Sequence, residues 1–525
     1  MTRDAASRPG VKRLLVERGR YFDSVFLLRI SRALEELPGV RHAVVATGTP
    51  ANLENLERIG FEVAEAVRPD DLIIAVEADD EAALGDAGRK VVLLLLAGGE
   101  SGETTEELPS TLGDAVSVDA AANLALISVP GVYAAAEARR ALRRGLHVML
   151  FSDNVSVEDE VSLKDEAARR GLLVMGPDCG TAIVNGVPLG FANVVRRGPI
   201  GIVGASGTGI QEVTSLVDRA GGGISQALGT GGRDLSHAVG ARSTLAAIDA
   251  LAADPETGVV VVVSKAPAPE VAERVLAKLA ESGKPAVVHF VGTVGQASRG
   301  RMAFAETLAE TARAACKLAG VVPESSEAEF PKAHFPARQE PQLLCGLFCG
   351  GTLAQEAWAI LRRRGIDVRS NVAADPALRV KPGDHVDGHV LGDLGDDAFT
   401  VGRPHPMIEP AQRDAEVARA LAGPNVAVVL VDCVLGYGAH PDPAGSLADA
   451  VKHAASLAGC LPTGAGSGPA CVIASVTGTD RDPQGYREQR RKLEESGVLV
   501  ADDNAQAAEW VAAWLCQAAR REAAR

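Results

Sequence analysis

Short apolar runs alternate with amphipathic stretches over nearly the whole chain, and this alternation restricts the fold more than any other feature. LALISVP (124–130), HVMLFSD (147–153), IGIVGAS (200–206), VVVVVSK (259–265) and AVVHFVG (286–292) are such runs. LLCGLFCGG (343–351), VAVVLVDCVLG (426–436) and CVIASVTG (471–478) continue the series. They lack the polar alternation of a strand with one wet face, so they read as strands buried on both faces of a parallel sheet. Between them, residues 132–144, 210–220 and 269–281 repeat apolar positions at helical spacing. The order strand, helix, strand predicts an α/β fold class with doubly wound parallel sheets. The run VVLLLLAG (91–98) also has strand length and falls short of the ~18 residues of a membrane span.

A chain of 525 residues exceeds one core, and a prior of ~150 residues per domain suggests three or four. Breaks in periodicity fall at ESGETTEELPSTLGDAV (100–116) and at the proline-rich 321–342. They delimit a small N-terminal α+β unit (1–105), a Rossmann-like unit (106–195), a sheet domain (196–322) and a second sheet domain (341–525). The 56 glycines suit strand-to-helix turns and close helix–sheet packing. A net charge of −15 with no basic stripe argues against a nucleic-acid partner. The eight cysteines form no paired framework and no zinc spacing, so neither disulfides nor a metal is expected. With no apolar leader and no spanning run, the expected location is the cytoplasm, with no membrane partner.

Several glycine-rich turns end these strands. GIVGASGTGIQE (201–212) places Ser206, Gly207, Thr208 and Gly209 where a strand stops and a helix starts. Free backbone N–H groups and the positive helix end converge there, which makes an anion site; a close-packed turn is the plain alternative. The stretch is neither a Walker A loop nor a clean dinucleotide fingerprint. Gly350-Gly351-Thr352, opening GGTLAQE, repeats the Gly, Thr, Gln and Glu of Ser206 to Glu212 in register, which suggests duplication of a strand–loop–helix unit and makes these three residues phosphate-binding candidates as well. LGTGGRDLS (228–236) supplies Gly231 and Gly232 for close ligand approach, Arg233 as a fork for phosphate or carboxylate, and Asp234 as a helix cap or site residue. VDCVLGYGAHPDP (431–443) brings Gly436, Tyr437, Gly438 and His440 to a strand's carboxyl end. RPHPMIEP (403–410) offers Arg403 and His405 on a proline-bounded loop, as a binding loop or a structural turn. In MGPDCGTAIVNG (175–186), Asp178 and Cys179 are candidate ligands, though turn-making is their usual work.

In chain order, GPDCGTAIVNG, GPIGIVGASGTGIQE, LGTGGRD and ADPETGVVVVV resemble the alpha subunit of succinyl-CoA synthetase, and more closely the FdrA-type acyl-CoA-synthetase-like proteins. TPANLENLERIGF (49–61), residues 129–155, HPMIEP and VLGYGAHPDPA extend the likeness over nearly the whole chain. The resemblance implies a CoA-binding-type unit at 106–195 and flavodoxin-like domains at 196–322 and 341–525. It also implies two helix N-termini aimed at one phosphoryl group, matched here by Gly207 to Gly209 and the turn at Gly436 to Gly438, with Gly231 and Gly232 beside the same phosphate. Three departures qualify it. Phe304 stands where the synthetase has its phosphorylated histidine, the inter-domain linker has no room for an ATP-grasp domain, and the CoA-binding unit lacks its opening glycine-rich turn.

FdrA-type proteins are further implied, with partner subunits, in oxamate carbamoyltransferase: oxalurate plus phosphate gives oxamate plus carbamoyl phosphate, in purine (allantoin) degradation. That chemistry requires no cofactor, phosphate being a substrate. Its small-molecule partners would be an acyl or carbamoyl phosphate and a carboxylate, with partner subunits and an oligomer expected. In this reading Arg233 or Arg403 holds the carboxylate, His405 or His440 moves a proton, and the glycine-rich loops hold phosphate. The alternatives are an acyl-CoA synthetase with its nucleotide half on another chain, binding CoA, and a non-catalytic metabolite-binding scaffold.

Overall fold

A computed structural model of the chain describes residues 10–525 apart from 21, 23, 36, 50–51, 54–55, 58, 62–66, 69–70, 100–108, 110, 323–342, 374, 382–383, 385, 401–403, 424, 458–469 and 524–525. Arg403, most of the proline-rich 321–342 segment and much of the 100–116 stretch therefore lie outside the described residues. The protein is α/β, with several parallel sheets and a small N-terminal unit of mixed helix and antiparallel sheet. The described residues of Met1–Leu108 and Thr400–Pro404 fall in one compact unit, and those of Pro109–Phe399 and His405–Arg525 in another.

In the N-terminal unit, strand Leu72–Ala78 lies between Val11–Glu17 and Val40–Thr47 and is antiparallel to both. Leu27, Ile30 and Leu34 of helix Ser24–Glu35 bury one face on this sheet. The run 91–98 is not a strand but the end of helix Glu81–Gly99. Ala83, Ala87, Val91 and Leu95 recur every four residues and are buried, while Val92 and Leu93 are exposed. The apolar run is thus one helical stripe plus wet neighbours, which a seven-residue window cannot distinguish from a strand.

The second unit holds three sheets. Leu124–Ile127, His147–Leu150 and Val174–Met175 form a short parallel sheet. A seven-stranded sheet runs in the order Met302–Phe304, Ala286–Phe290, Val259–Ser264, Arg197–Ala205, Ile224–Gly229, Thr181–Val184, Val187–Gly190. Its first five strands are parallel, in a flavodoxin-type order. The third sheet is parallel throughout: Val368–Ser370, His389–Asp393, Leu343–Phe348, Val426–Val434, Cys471–Thr477, Leu499–Ala501. Strand Val259–Ser264 is buried at every residue, as its continuous valines require.

In both large sheets the chain reverses direction of growth beside one central strand, Arg197–Ala205 in the first and Leu343–Phe348 in the second. Open parallel sheets bind ligands at the carboxyl ends of strands at this switch point. Helices Gly207–Arg219 and Gly351–Arg363 begin there.

Candidate functional site at two helix N-termini

The two helix starts meet. Ser206 is the N-cap of helix Gly207–Arg219, its Oγ accepting from the Gly209 N–H at 3.1 Å, and the same oxygen lies 2.7 Å from Thr352 Oγ1 in the first turn of helix Gly351–Arg363. At Gly350 a Cβ would stand 3.0 Å from the Thr208 methyl group and 3.0 Å from Asp432 Oδ2, so only glycine lets the helices approach this closely. The Gly209 N–H is engaged by the cap, and those of Cys349 and Gly350 donate to Asp432, each at 2.7 Å. The N–H groups of Gly207, Thr208, Gly351 and Thr352 have no hydrogen-bond acceptor among the described residues. Two positive helix ends with unmatched donors at one junction make a candidate anion cradle.

The second arm of this cradle is therefore 351–352 and not the turn at 436–438. The Gly436 N–H donates to Gln484 Oε1 and the Tyr437 N–H to the Ala192 carbonyl, so two of that turn's three donors are already engaged. The next helix starts only at Pro443. Gly436 and Gly438 have φ of +112° and +78°, and side chains there would press on Ala192 and Phe191, so packing accounts for both glycines. Gly231, with φ +86°, lies against the Pro177 carbonyl, and a Cβ at Gly232 would stand 3.3 Å from Asp178 Oδ2. That loop is fitted to the 176–178 turn.

Other candidates have structural work. Asp234 accepts from the backbone N–H groups of Ser243 and Thr244 and from the Thr244 hydroxyl, and so caps helix Arg242–Ala253. It is also paired with buried Lys164 at 2.8 Å, and Lys164 bonds Glu160 at 2.7 Å. Arg233 extends this network, reaching Glu160 at 3.0 Å and the Val155 carbonyl at 2.8 Å, so its fork is already directed at protein groups. Cys179 is buried against the carbonyls of Thr181 and Gly229, and burial pushes its thiol up to about 12, which makes it a packing residue and a poor nucleophile.

His405 lies near the cradle but is no proton shuttle. Desolvation lowers its pKa to about 4, and its Nδ1 accepts from the Met407 N–H at 3.2 Å, leaving Nε2 as a neutral donor. That nitrogen would be 2.5 Å from a Cβ at Gly395, and the ring packs on Phe191 at 5.9 Å between centroids. His440 likewise uses Nδ1 to accept from the Asp442 N–H, and its backbone N–H donates to the Met407 carbonyl. Phe304 ends the edge strand Met302–Phe304, with two strands between it and the strand leading to Ser206.

The sequence reading missed the carboxylates around the cradle. Asp393 ends strand His389–Asp393, and burial pushes its pKa up to about 7. Asp432 is fully buried, its pKa raised by the same desolvation, and the buried Arg413 guanidinium donates to its backbone carbonyl at 3.2 Å. Glu356 accepts from the Leu308 N–H at 2.6 Å and from Asn504 Nδ2 at 2.7 Å, and burial raises it to about 8. Glu212, its counterpart in the repeated segment, accepts from the Thr477 hydroxyl and from the Asn504 N–H at 3.4 Å. Each cradle helix thus offers a carboxylate to the first turn of the last helix belonging to the other sheet, Leu308–Leu318 or Asn504–Ala523. The available signal was Gln-Glu at the same offset after both glycine-rich turns.

Comparison with known proteins agrees with this architecture. A CoA-ligase family model matches residues 347–514, a CoA-binding-domain model residues 195–292, and a model described as AllF, heavy metal-associated domain, residues 10–109. The CoA-binding match thus falls on the first large sheet and not on 106–195. Such models define an acyl-CoA-synthetase-like protein of the succinyl-CoA synthetase superfamily. The chain is 42% identical over 507 residues, 94% of its own length and 96% of the relative's, to the uncharacterized protein YahF of Escherichia coli, and it belongs to that protein's family.

Succinate–CoA ligase [ADP-forming] subunit alpha of Aquifex aeolicus is 30% identical over 202 residues, 37% of this chain and 65% of that subunit. A dinucleotide-forming acetyl-coenzyme A synthetase of Ca. Korarchaeum cryptofilum aligns at 16% identity over 82% of this chain and 91% of that one, with a TM-score of 0.31. At that score the arrangement has to be read from this chain alone.

The metal implied by the N-terminal family description does not fit these residues. Residues 10–109 contain no cysteine and a single histidine, His42, and no cluster of metal-ligating side chains occurs among the described residues. No described helix is long and apolar enough to cross a membrane.

Proposed function

We propose that the protein handles an acyl or carbamoyl phosphate directly on the cradle between Ser206 and Thr352, as a subunit of an oxamate carbamoyltransferase of the FdrA type. The observation that carries this reading is the junction itself, where two helix N-termini present four unmatched N–H groups around hydroxyls 2.7 Å apart. Such preorganised donors stabilise charge as it develops on phosphate oxygens, each by roughly 3 kcal/mol. The absence of a histidine at position 304 supports transfer without a phosphohistidine relay. Lys265, exposed at the end of strand Val259–Ser264, supplies a cation near Asp393 for a substrate carboxylate. His405 Nε2–H is a neutral donor for the carbamoyl oxygen.

The CoA-ligase and CoA-binding matches favour a second reading, an acid–thiol ligase whose nucleotide half lies on another chain. One assay separates them. Purified protein, alone and with candidate partner subunits, is given carbamoyl phosphate and oxamate, and phosphate release is followed. Release that depends on oxamate and ignores ATP and CoA supports the transferase. Activity only with nucleotide, CoA and a carboxylate supports the ligase, and phosphate binding without turnover in either mixture leaves a metabolite-binding scaffold.

A further inference from the structure

Among the described residues, Asp393 is the cradle carboxylate with an oxygen left over. Its backbone is fixed from both sides by Asn371, whose Oδ1 accepts the Asp393 N–H at 2.8 Å and whose Nδ2 donates to the Asp393 carbonyl at 2.9 Å. Oδ1 accepts the Gly395 N–H at 2.9 Å. Oδ2 has no hydrogen-bond partner among the described residues, although the residue is only 7% exposed. That oxygen lies over the first residue of helix Gly351–Arg363, where a Cβ on Gly351 would stand 2.5 Å from it. The atom itself keeps access to solvent, and a carboxylate oxygen held by a largely buried residue against unmatched N–H groups at a helix start marks a place where a bound anion can complete the site.

The other acids nearby are occupied. Asp432 is held by two backbone donors, and Glu212 and Glu356 by donors at the Asn504 and Leu308 helix starts. The charged groups facing Asp393 are Lys265 from the first sheet and Asp396 and Asp432 from its own. His405, across Gly395, is neutral.

We propose that Asp393 is the proton-transferring catalytic residue of the cradle, its Oδ2 contacting the bound phosphate and exchanging a proton between phosphate and the group transferred. The proposal rests on the carbamoyl-phosphate reading and names its missing acid–base residue. In the direction that forms carbamoyl phosphate, an oxygen of HPO4 attacks the carbamoyl carbon of oxalurate and the carbon–nitrogen bond to the oxamate nitrogen breaks. The departing nitrogen takes a proton from Asp393, and Asp393 recovers one from the phosphate hydroxyl. The proton lost by phosphate is the one gained by the amide, so no further reactant is required. A carboxyl raised by burial to about 7 is suited to both halves near neutral pH.

The test uses sulfate, a dianion that does not titrate near neutrality, on the full chain. Calorimetry at pH 7.5 in buffers of different ionisation enthalpy should find roughly 0.5–1 proton taken up per sulfate bound, because the dianion raises the pKa of the adjacent carboxyl. Asp393→Asn should bind sulfate without this uptake. In the wild type, affinity should fall close to tenfold per pH unit above pH 7.5, a readout that survives if the variant folds poorly. Uptake unchanged in Asp393→Asn, or an affinity flat from pH 6 to 9, would overturn the role of Asp393 while leaving the cradle standing. Failure of the wild type to bind either sulfate or phosphate would remove the cradle and this proposal together. In turnover, Asp393→Asn should lower kcat by about 10²–10⁴-fold with little change in KM for phosphate.

Discussion

Replacing Glu356 with glutamine should flatten the pH dependence of stability in the second compact unit. Glu356 is fully desolvated, and its pKa stands at about 8 against an ordinary 4.5. Between these values the folded state binds the proton that the unfolded chain releases, so stability falls as pH rises through the window and is constant above it. At 1.36 kcal/mol per pH unit the whole window corresponds to about 5 kcal/mol, and the part between pH 6 and 8 to roughly 3 kcal/mol. Glu212 interacts with Glu356 and raises it further, so the two titrate as a pair and the variant removes the pair's coupling as well. The assay is urea unfolding followed by tryptophan emission at pH 6 and pH 9. Trp358 lies on the helix that carries Glu356, and Trp510 and Trp514 on the helix whose first residue, Asn504, bonds it. Wild type should lose roughly 3 kcal/mol more than Glu356→Gln between the two conditions. The level at pH 6 is not diagnostic, since the amide also replaces one hydrogen-bond acceptor. Equal losses in the two proteins would show that Glu356 is already ionised in the fold and refute the argument.

Gly351→Ala should cost about 1–3 kcal/mol through its contact with Asp393 Oδ2 and abolish phosphate binding, checked by thermal unfolding and calorimetry. Lys164→Met leaves Asp234 buried without its cation and Glu160 with Arg233 alone, and should destabilise by about 3–5 kcal/mol, checked by denaturant unfolding at pH 7. Cys179, Cys349 and Cys433, all buried with thiols pushed upward, should stay unmodified by iodoacetamide at pH 8 in native protein and react after unfolding, as peptide mapping will tell. The full chain should bind neither zinc nor copper stoichiometrically through its N-terminal unit, tested by metal analysis after dialysis and by comparison with His42→Ala.

Where burial on both faces dictated composition, as in Val259–Ser264 or Val426–Val434, the strands could be read directly from the chain. The helix start at Ser206 was equally visible, because Ser-Gly-Thr-Gly after an apolar run joins an N-cap hydroxyl to the small residues that a helix start at a strand's end requires. For the second arm the chain offered two candidates, Gly350 to Thr352 and Gly436 to Gly438, and the resemblance pointed to the latter, because glycine has several uses. Gly436 and Gly438 serve backbone conformation and the approach of Ala192 and Phe191, whereas Gly350 and Gly351 serve the approach of Thr208, Asp432 and Asp393. A sequence shows the permissiveness and not the neighbour that demands it. The ionisable residues were the least legible. Arg233, Asp234 and His405 looked like chemistry because of their loops, while Asp393 and Asp432 were hidden inside apolar strand patterns, and their importance depends on partners far away in the chain.

The same partners explain why the duplicated segment kept its Gln-Glu ending. Hydroxyl contact between Ser206 and Thr352 brings two positive helix ends together, an arrangement that is unfavourable unless negative charge or an acceptor lies close by. Asp432 meets that need at Gly350, and Asp393 stands over Gly351, while Glu212 and Glu356 tie each cradle helix to the far sheet's terminal helix. The junction is therefore held by contacts outside the anion position, so the N–H groups of Gly207, Thr208, Gly351 and Thr352 need not be consumed in holding it. If that is the division of labour, Glu212→Gln with Glu356→Gln should loosen the junction and weaken sulfate binding even though neither residue touches the anion. Asp432→Asn should do so more strongly, because it removes charge from two donors at 2.7 Å. Unchanged sulfate affinity in both variants would mean that the helix ends meet for packing alone.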